Sequence, residues 1–355
     1  MNSLYAKTSQ SIIENQEILA KTSVDQQYAL QASFWKTYNP TGYEKSIRDS
    51  GYHFLYLAES LAAANSVLFL DYVAWAKVLF AGLKFPANTM TTTLKCMGQA
   101  LDKTLQPDLA VVAHSYINAA LEHLSVMPSN VASYLSPDLP LFTLATNYFK
   151  ALLAGDRHLG SELILDAVAH GIGVKEIYLY VFQPCQQEIG RLWQMNQVSI
   201  AQEHFCTIAT QMVMSQLYPY IFNTKKINRR LVATSVSGEL HEIGLRMVAD
   251  FLEMEGWDTY YLGANMPPES ILETIEEHKA DVVAISATIS YHISKVAELI
   301  SQIRASSCCP AVKILAGGYP FNIDKDLWQK VGADGTAVNA QQAISVANHF
   351  VEEYK

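Results

Sequence analysis

Apolar residues recur at helical spacing through the first 140 or so positions and again from about 142 to 222. Beyond residue 230 they fall instead into short unbroken runs separated by helical stretches. In the first block the pattern predicts helices over 43–64 and 66–83, the second with Leu68, Leu70, Val73, Trp75 and Val78 at helical spacing. Pro86 interrupts it, the pattern resumes over 91–105, and Pro107 with Asp108 opens a helix to about 126. Residues 128–140, with Ser, Pro and Asn among them, read as a connector. The second block predicts helices over 142–153, 159–170, 174–195 and 199–221, the first two closed by Gly155 and Gly171. Short connections between four helices predict an antiparallel bundle. The later apolar runs, at 231–236, 259–262, 282–286, 313–316 and 336–338, predict strands. Helices lie between them, the first over 245–255 and the last over 341–353.

Apolar strands joined by crossover helices predict a doubly wound, five-stranded parallel sheet of flavodoxin-like (Rossmann-type) topology. The expected fold class is therefore α followed by α/β. Three domains are expected: all-helical 1–138, a four-helix bundle 139–225 and a Rossmann-like domain 226–355. A chain of 355 residues, half of them hydrophobic, is long enough for several cores. Its net charge of −9 argues against a nucleic-acid surface, and Lys225, Lys226, Arg229 and Arg230 read as a solvated linker. The apolar runs are too short or too interrupted to span a bilayer, and the start lacks the basic-then-apolar order of a signal peptide. Cys96, Cys185, Cys206, Cys308 and Cys309 show no metal-ligand spacing. Reduced thiols in the cytoplasm are the expectation.

The chemistry concentrates in Gly238-Glu239-Leu240-His241-Glu242-Ile243-Gly244, directly after the first strand. His241 thus falls on a loop leaving the carboxyl end of a strand, where open α/β sheets bind ligands. Gly238 and Gly244 permit a sharp turn and leave room for a bulky ligand. Glu239, two positions before His241, points to the same side of an extended loop. Its carboxylate could accept the imidazole N–H, fix the tautomer and make the other nitrogen a better metal ligand. A histidine satisfied within a βα turn is the competing reading. Ser286 and Thr288 follow the third strand and Gly317-Gly318 the fourth. Singly these read as a helix cap and a turn; together with the His241 loop they outline a slot running down into the sheet. In the bundle, Trp193 is followed after nine residues by Glu203-His204. By themselves these read as a core indole, a solvated acid and its partner.

The second half, with Glu239-Leu240-His241-Glu242-Ile243-Gly244, Ser286-Ala287-Thr288 and Gly317-Gly318, resembles the cobalamin-binding domain family. Glu239 stands where many members carry Asp. The resemblance implies that His241 replaces the dimethylbenzimidazole base as lower cobalt ligand, the freed nucleotide tail entering the slot lined by Ser286, Thr288, Gly317 and Gly318. The bundle is similar to the family's cap over the corrin ring. Its Trp193-x9-Glu203-His204 spacing resembles that of the cobalamin-dependent light-sensing repressors of carotenoid genes, which also favour Glu at position 239. That resemblance implies adenosylcobalamin, with Trp193 packing over the adenosyl group and Glu203 contacting it. His204 would ligate cobalt from above once light has broken the Co–C bond, and a light-dependent homo-oligomer would follow.

No basic recognition helix precedes the bundle, as it does in those repressors. Residues 56–61 and 70–75 instead resemble the N-terminal helical region of photocobilins, which pair cobalamin with biliverdin. The rings of Tyr52, Phe54, Tyr56, Phe69, Tyr72, Trp75 and Phe80 read mostly as core, and a bilin could lie near His53, His114 or His123, for which core roles compete. The expected function is a photoreceptor without enzymatic activity, signalling to a separate protein. The alternatives are a corrinoid carrier serving a methyltransferase, or a haem- or bilin-binding sensor, since histidine ligates several transition metals.

Overall fold

A computed structural model describes residues 3–37, 40–306 and 311–352. Cys308, Cys309 and the expected helix end at Glu353 lie outside these. The chain forms two compact units. The first comprises Met1–Asn130, Ile289–Ser294 and Ile323–Lys330, and the second Val131–Thr288, Lys295–Asn322 and Val331–Lys355.

The first unit is helical: α1 (Ser3–Glu14), α2 (Gln16–Leu30), α3 (Ala32–Trp35), α4 (Pro40–Ala62), α5 (Ser66–Gly82), α6 (Thr89–Thr104) and α7 (Pro107–His123). Its core gathers Phe54, Leu57, Leu61, Phe69, Leu94, Met97, Leu101 and Ile117. The Asn65 side chain caps α5 by accepting from the Val67 N–H, and Pro107 begins α7 as expected. Helix α2 is hard to see in the hydrophobic pattern because three of its five buried residues are Ala20, Ser23 and Gln27. Buried Glu59 on α4 accepts from the Ser294 N–H (3.0 Å) and hydroxyl (2.6 Å), tying a late segment of the chain into this unit.

In the second unit the bundle consists of α8 (Phe142–Leu153), α9 (Arg157–Ala169), α10 (Val174–Ile177), α11 (Gln183–Gln194), α12 (Ile200–Gln216) and α13 (Tyr218–Ile221). The helix expected over 174–195 is interrupted by a π-helical turn, Tyr178–Phe182, between α10 and α11. Pro184 explains the interruption: it has no N–H to give Tyr180, and its ring would press on that carbonyl in a regular α-helix. Ser199 and Gln202 form a capping box that opens α12.

Strands β1 (Arg230–Ser235), β2 (Asp258–Gly263), β3 (Val282–Ser286), β4 (Lys313–Gly317) and β5 (Gly335–Ala337) form one parallel sheet in the order β2-β1-β3-β4-β5. The intervening helices are α14 (Ile243–Met254), α15 (Pro268–His278), α16 (Ile293–Ala305), α17 (Tyr319–Ile323), α18 (Leu327–Lys330) and α19 (Ala340–Glu352). This is the doubly wound topology expected. The chain leaves β1 to one side and returns to β3 on the other, so the loops after β1 and β3 flank the crevice at the switch point. One apolar core runs from the bundle (Tyr148, Phe182, Val213, Leu217) into the sheet domain (Leu231, Phe251, Trp257, Phe350), crossing the boundary drawn at residue 225.

Candidate functional site

The loop between β1 and α14 is held from several sides. Gly238 turns it with φ +85°, and its N–H donates to Asn265 Oδ1 at 2.7 Å. Asn265 donates its own N–H to the Glu239 carbonyl at 3.0 Å. The Glu239 side chain is fully buried. Its Oε1 accepts from the His241 backbone N–H (3.0 Å) and lies 2.6 Å from His241 Nδ1; Oε2 accepts from the Thr288 N–H at 2.7 Å. A carboxylate only accepts, so the proton sits on Nδ1 and the Nε2 lone pair is left for a metal. The His241 side chain is 57% exposed. The Glu239 hydrogen bond raises its pKa above the usual 6.5, partial burial opposes this, and the charges of Glu239 and Glu203 add to the rise.

At the carboxyl edge of the sheet, Ser235, Ser286 and Gly317 align across β1, β3 and β4, and Gly317 aligns with Ala337 on β5. Ser235 Oγ is buried there without a hydrogen-bond partner among the described residues; Thr336 Oγ1, likewise buried and unpartnered, belongs to the preceding row with Ala316 and so to the other face of the sheet. A buried hydroxyl so placed costs about 1–3 kcal/mol unless a ligand satisfies it. Strand-edge Ser235 and Thr336 were not singled out from the sequence; small hydroxyls at strand ends were the available signal. The two neighbouring glycines divide by role. Gly318 has φ +107°, and a Cβ there would lie 2.0 Å from the Ala287 carbonyl oxygen, so the chain's own packing requires it. A Cβ on Gly317 would make only an ordinary contact, 3.8 Å from the Ala337 carbonyl oxygen, and one on Gly244 would meet nothing within 4 Å. The space beside Gly244 is therefore open to a ligand.

The bundle carries a second histidine–carboxylate pair. The tight turn between α11 and α12 accounts for the Trp193-x9-Glu203 spacing and sets Trp193, partly buried, at the same end as Glu203 and His204. Glu203 Oε2 lies 2.6 Å from His204 Nδ1, and the His204 side chain is 70% exposed. Glu203 Oε1 accepts from the Thr207 hydroxyl (3.1 Å), which also faces Gln186 Oε1 (3.2 Å). Gln186 Nε2 donates to Thr210 Oγ1 (2.8 Å), which meets buried Tyr148 OH at 3.0 Å. Further along α12, Gln211 Nε2 donates to Glu242 Oε1 at 2.6 Å. Arg246 on α14 donates to the Gln211 carbonyl, Ser215 Oγ and Tyr218 OH. Beneath it Tyr178 OH donates to Asp250 Oδ2 at 2.8 Å, and burial pushes Asp250 up to about 6. Glu242, Gln211 and Arg246 also escaped the sequence reading, because only the fold joins α12 to α14.

The donor set suits a metal that brings most of its own ligands. Among the described residues no group of three or more His, Cys, Asp or Glu side chains could hold an ion unaided. A single oriented imidazole, an open glycine and the unsatisfied Ser235 hydroxyl at the crevice fit a macrocyclic metal cofactor with a polar tail.

Residues 229–345 match the model of the B12 binding domain, and residues 144–218 match a second B12 binding domain model. Cobalamin is the cofactor these matches support. Monomethylamine corrinoid protein 1 of Methanosarcina acetivorans is 28% identical over 199 residues, which is 54% of this chain and 90% of that protein. A corrinoid protein of Desulfitobacterium hafniense is 22% identical over 216 residues, 59% of this chain and 99% of its own length. The solved structure of a monomethylamine corrinoid protein from Methanosarcina barkeri has the same fold over 59% of this chain and 99% of its own, with a TM-score of 0.52 at 23% identity.

The N-terminal part of the first unit, Met1–Asn130, lies outside both matched stretches. Its three candidate histidines each have a partner within the chain. His53 Nδ1 lies 2.5 Å from Tyr72 OH, and burial pushes His53 down to about 4. His114 Nε2 pairs with Asp102 at 2.7 Å, and His123 Nδ1 lies 2.8 Å from the Ala119 carbonyl. Tyr56 stacks on Tyr72 with ring centroids 3.6 Å apart. No helix among the described residues is long and apolar enough to cross a membrane.

Proposed function

We propose that this protein is a corrinoid carrier: its second unit holds cobalamin with His241 as the lower cobalt ligand and presents the upper face to a methyltransferase partner. The observation that carries the reading is the buried Glu239, which fixes the His241 tautomer from a loop at the switch point, within a stretch that matches the B12 binding domain. Bound cobalamin would supply a cobalt–carbon bond that can be made and broken. The chain's own part is to orient His241 through Glu239 and Thr288, to accept a polar tail between Ser235, Ser286, Thr288 and Gly317, and to cover the opposite face with the bundle. The relatives named above, corrinoid proteins matched along most of their length, support carriage over light sensing.

The Glu203–His204 pair beside Trp193 favours a second reading, a sensor of light. His204, its Nδ1 held by Glu203 as Glu239 holds that of His241, would answer a change at the upper face. Adenosylcobalamin as the bound form, biliverdin as a second chromophore, a light-dependent homo-oligomer and a separate signalling partner belong to this reading. One experiment separates the two. The protein is loaded with methyl- or adenosylcobalamin, and its spectrum and size are followed before and after green light and on adding a corrinoid methyltransferase. Methyl exchange with the enzyme and no change of assembly in light support the carrier. A light-driven size change abolished by His204→Ala supports the sensor. No uptake of either cobalamin by the wild type, or uptake that His241→Ala leaves spectrally unchanged, overturns the site.

A further inference from the structure

Glu242 sits between the proposed cobalt ligand and the bundle. It follows His241 directly and occupies the N-cap position of α14, yet its side chain caps nothing on that helix. Its Oε1 accepts from Gln211 Nε2 of α12 at 2.6 Å, and its Oε2 accepts from Tyr261 OH of β2 at 3.2 Å. Gln211 is held in turn, since its carbonyl takes a hydrogen bond from Arg246 at 3.1 Å. Gln211 also lies two helical turns beyond His204 on the same face of α12, because residues seven apart nearly superimpose down a helix. Gly263 leaves the space for this arrangement: it has φ +79°, and a Cβ there would come within 3.2 Å of Glu242 Oε2. The His241 loop is thus fastened on one side to the sheet domain by Glu239, Thr288 and Asn265, and on the other to the bundle by one carboxylate.

We infer that Glu242 is a positioning residue that couples the seating of α12 to the placement of His241, so that any movement of the bundle over the cofactor reaches the lower ligand through the Gln211–Glu242 hydrogen bond. The inference rests on the proposed role of His241. A hydrogen bond to a charged side chain fixes the Glu242 backbone, and the adjacent residue has only its own two soft torsions with which to escape. Loss of the bond frees the loop on the bundle side only, leaving Glu239 in place. Carriage of an alkyl group requires the upper face to be covered at one moment and open to a partner at another, and this link makes the lower ligand responsive to that change.

The test uses the full chain in two states. In cofactor-free protein, hydrogen exchange is followed in the peptide spanning residues 236–243. Glu242→Ala and Gln211→Ala are expected to speed exchange there about ten-fold, the scale set by a lost hydrogen bond to a charged group. Glu242→Gln is expected to stay at the wild-type rate, since its amide oxygen still accepts from Gln211. Lys175→Ala, which removes a separate contact between the bundle and α14, the Lys175–Glu255 pair, is the control and is expected to leave this peptide unchanged. In protein loaded with cob(II)alamin, the nitrogen splitting of the cobalt electron-paramagnetic-resonance signal reports imidazole ligation. Glu242→Ala and Gln211→Ala are expected to lower the ligated fraction, and Glu242→Gln to preserve it. Wild-type exchange and splitting in Glu242→Ala, or an equal change in Lys175→Ala, overturns the coupling. Failure of the wild type to take up cobalamin would instead overturn the corrinoid reading, while the exchange measurement still decides whether Glu242 ties the loop to α12.

Discussion

The Glu239 carboxylate accepts from the ring and the backbone N–H of His241 and from the Thr288 N–H, and only its pairing with His241 is local enough to be read from spacing. The third partner, the Thr288 N–H, lies 49 residues away and comes into reach because β1 and β3 are neighbours in the sheet. Glu239→Ala would strand that N–H and release the imidazole, and cobalamin retention is expected to fall 10–100-fold in an equilibrium binding titration, the usual range for losing such a partner. The raised His241 pKa has a definite sign. In the cofactor-free protein the imidazolium is favoured beside Glu239, so its contribution to stability is present below the ordinary value near 6.5 and is lost as pH rises through the higher folded value. Ligation needs the deprotonated nitrogen. A spectral titration of the loaded protein should therefore show His241 leaving cobalt at a higher pH in the wild type than in Glu239→Gln. The glycines give a paired test. Gly244→Ala should raise the melting temperature of the cofactor-free protein, by about 0.5–1 kcal/mol of added stability, while weakening cobalamin uptake. Gly318→Ala should destabilise the protein outright, because its Cβ meets the Ala287 carbonyl oxygen.

Among the elements, the five strands were legible as short, mostly apolar runs, the inner β1, β3 and β4 largely buried and the edge strands β2 and β5 half-buried, and the observed limits differ from the expected ones by only a residue or so. Helix interiors were legible too, but breaks within them were not. The π turn at Tyr178–Phe182 leaves the apolar spacing nearly intact, and α12 ends at Gln216 where the pattern runs on to 221 through α13. The polar seam between the bundle and α14 was invisible for a different reason: Arg246 and Asp250 have the four-residue spacing of an ordinary exposed helical pair, and it is the π turn with α12 and α13, packed against them, that buries both. Asp250 offers a stability test of that seam. Burial raises its folded pKa to about 6 from 3.8, so between those values the folded state binds more protons than the unfolded one. Stability then falls as pH rises across that window, by about 3 kcal/mol at most. Asp250→Asn, which still accepts from Tyr178, should flatten this slope and raise the melting temperature at neutral pH, as measured by calorimetry from pH 4 to 7.

Across the whole molecule, the corrinoid proteins compared above are matched nearly end to end by little more than half of this chain. A shortened chain of residues 131–355 is accordingly expected to take up cobalamin with the same His241 signature as the full chain, at a lower melting temperature. Loss of that signature would mean that cobalamin uptake needs residues 1–130 as well. The cofactor class was legible because three short motifs at strand ends and one in the bundle lie within separate local stretches. The role of the first unit was not, because aromatic residues that pack a core and those that embrace a ligand have the same spacing in a helix.

The sharing of Ile289–Ser294 and Ile323–Lys330 with the N-terminal helices sets a timetable for synthesis. At about 5–20 residues per second, roughly 10–40 s separate the emergence of residue 130 from that of residue 330. Until residue 294 emerges within that interval, the nascent helices have their apolar core but not the donors that Ser294 brings to Glu59. The unit whose sequence begins the chain is therefore completed only near the end of synthesis, and a ribosome-bound chain halted before residue 289 should expose the α4 surface to proteases that the released protein resists.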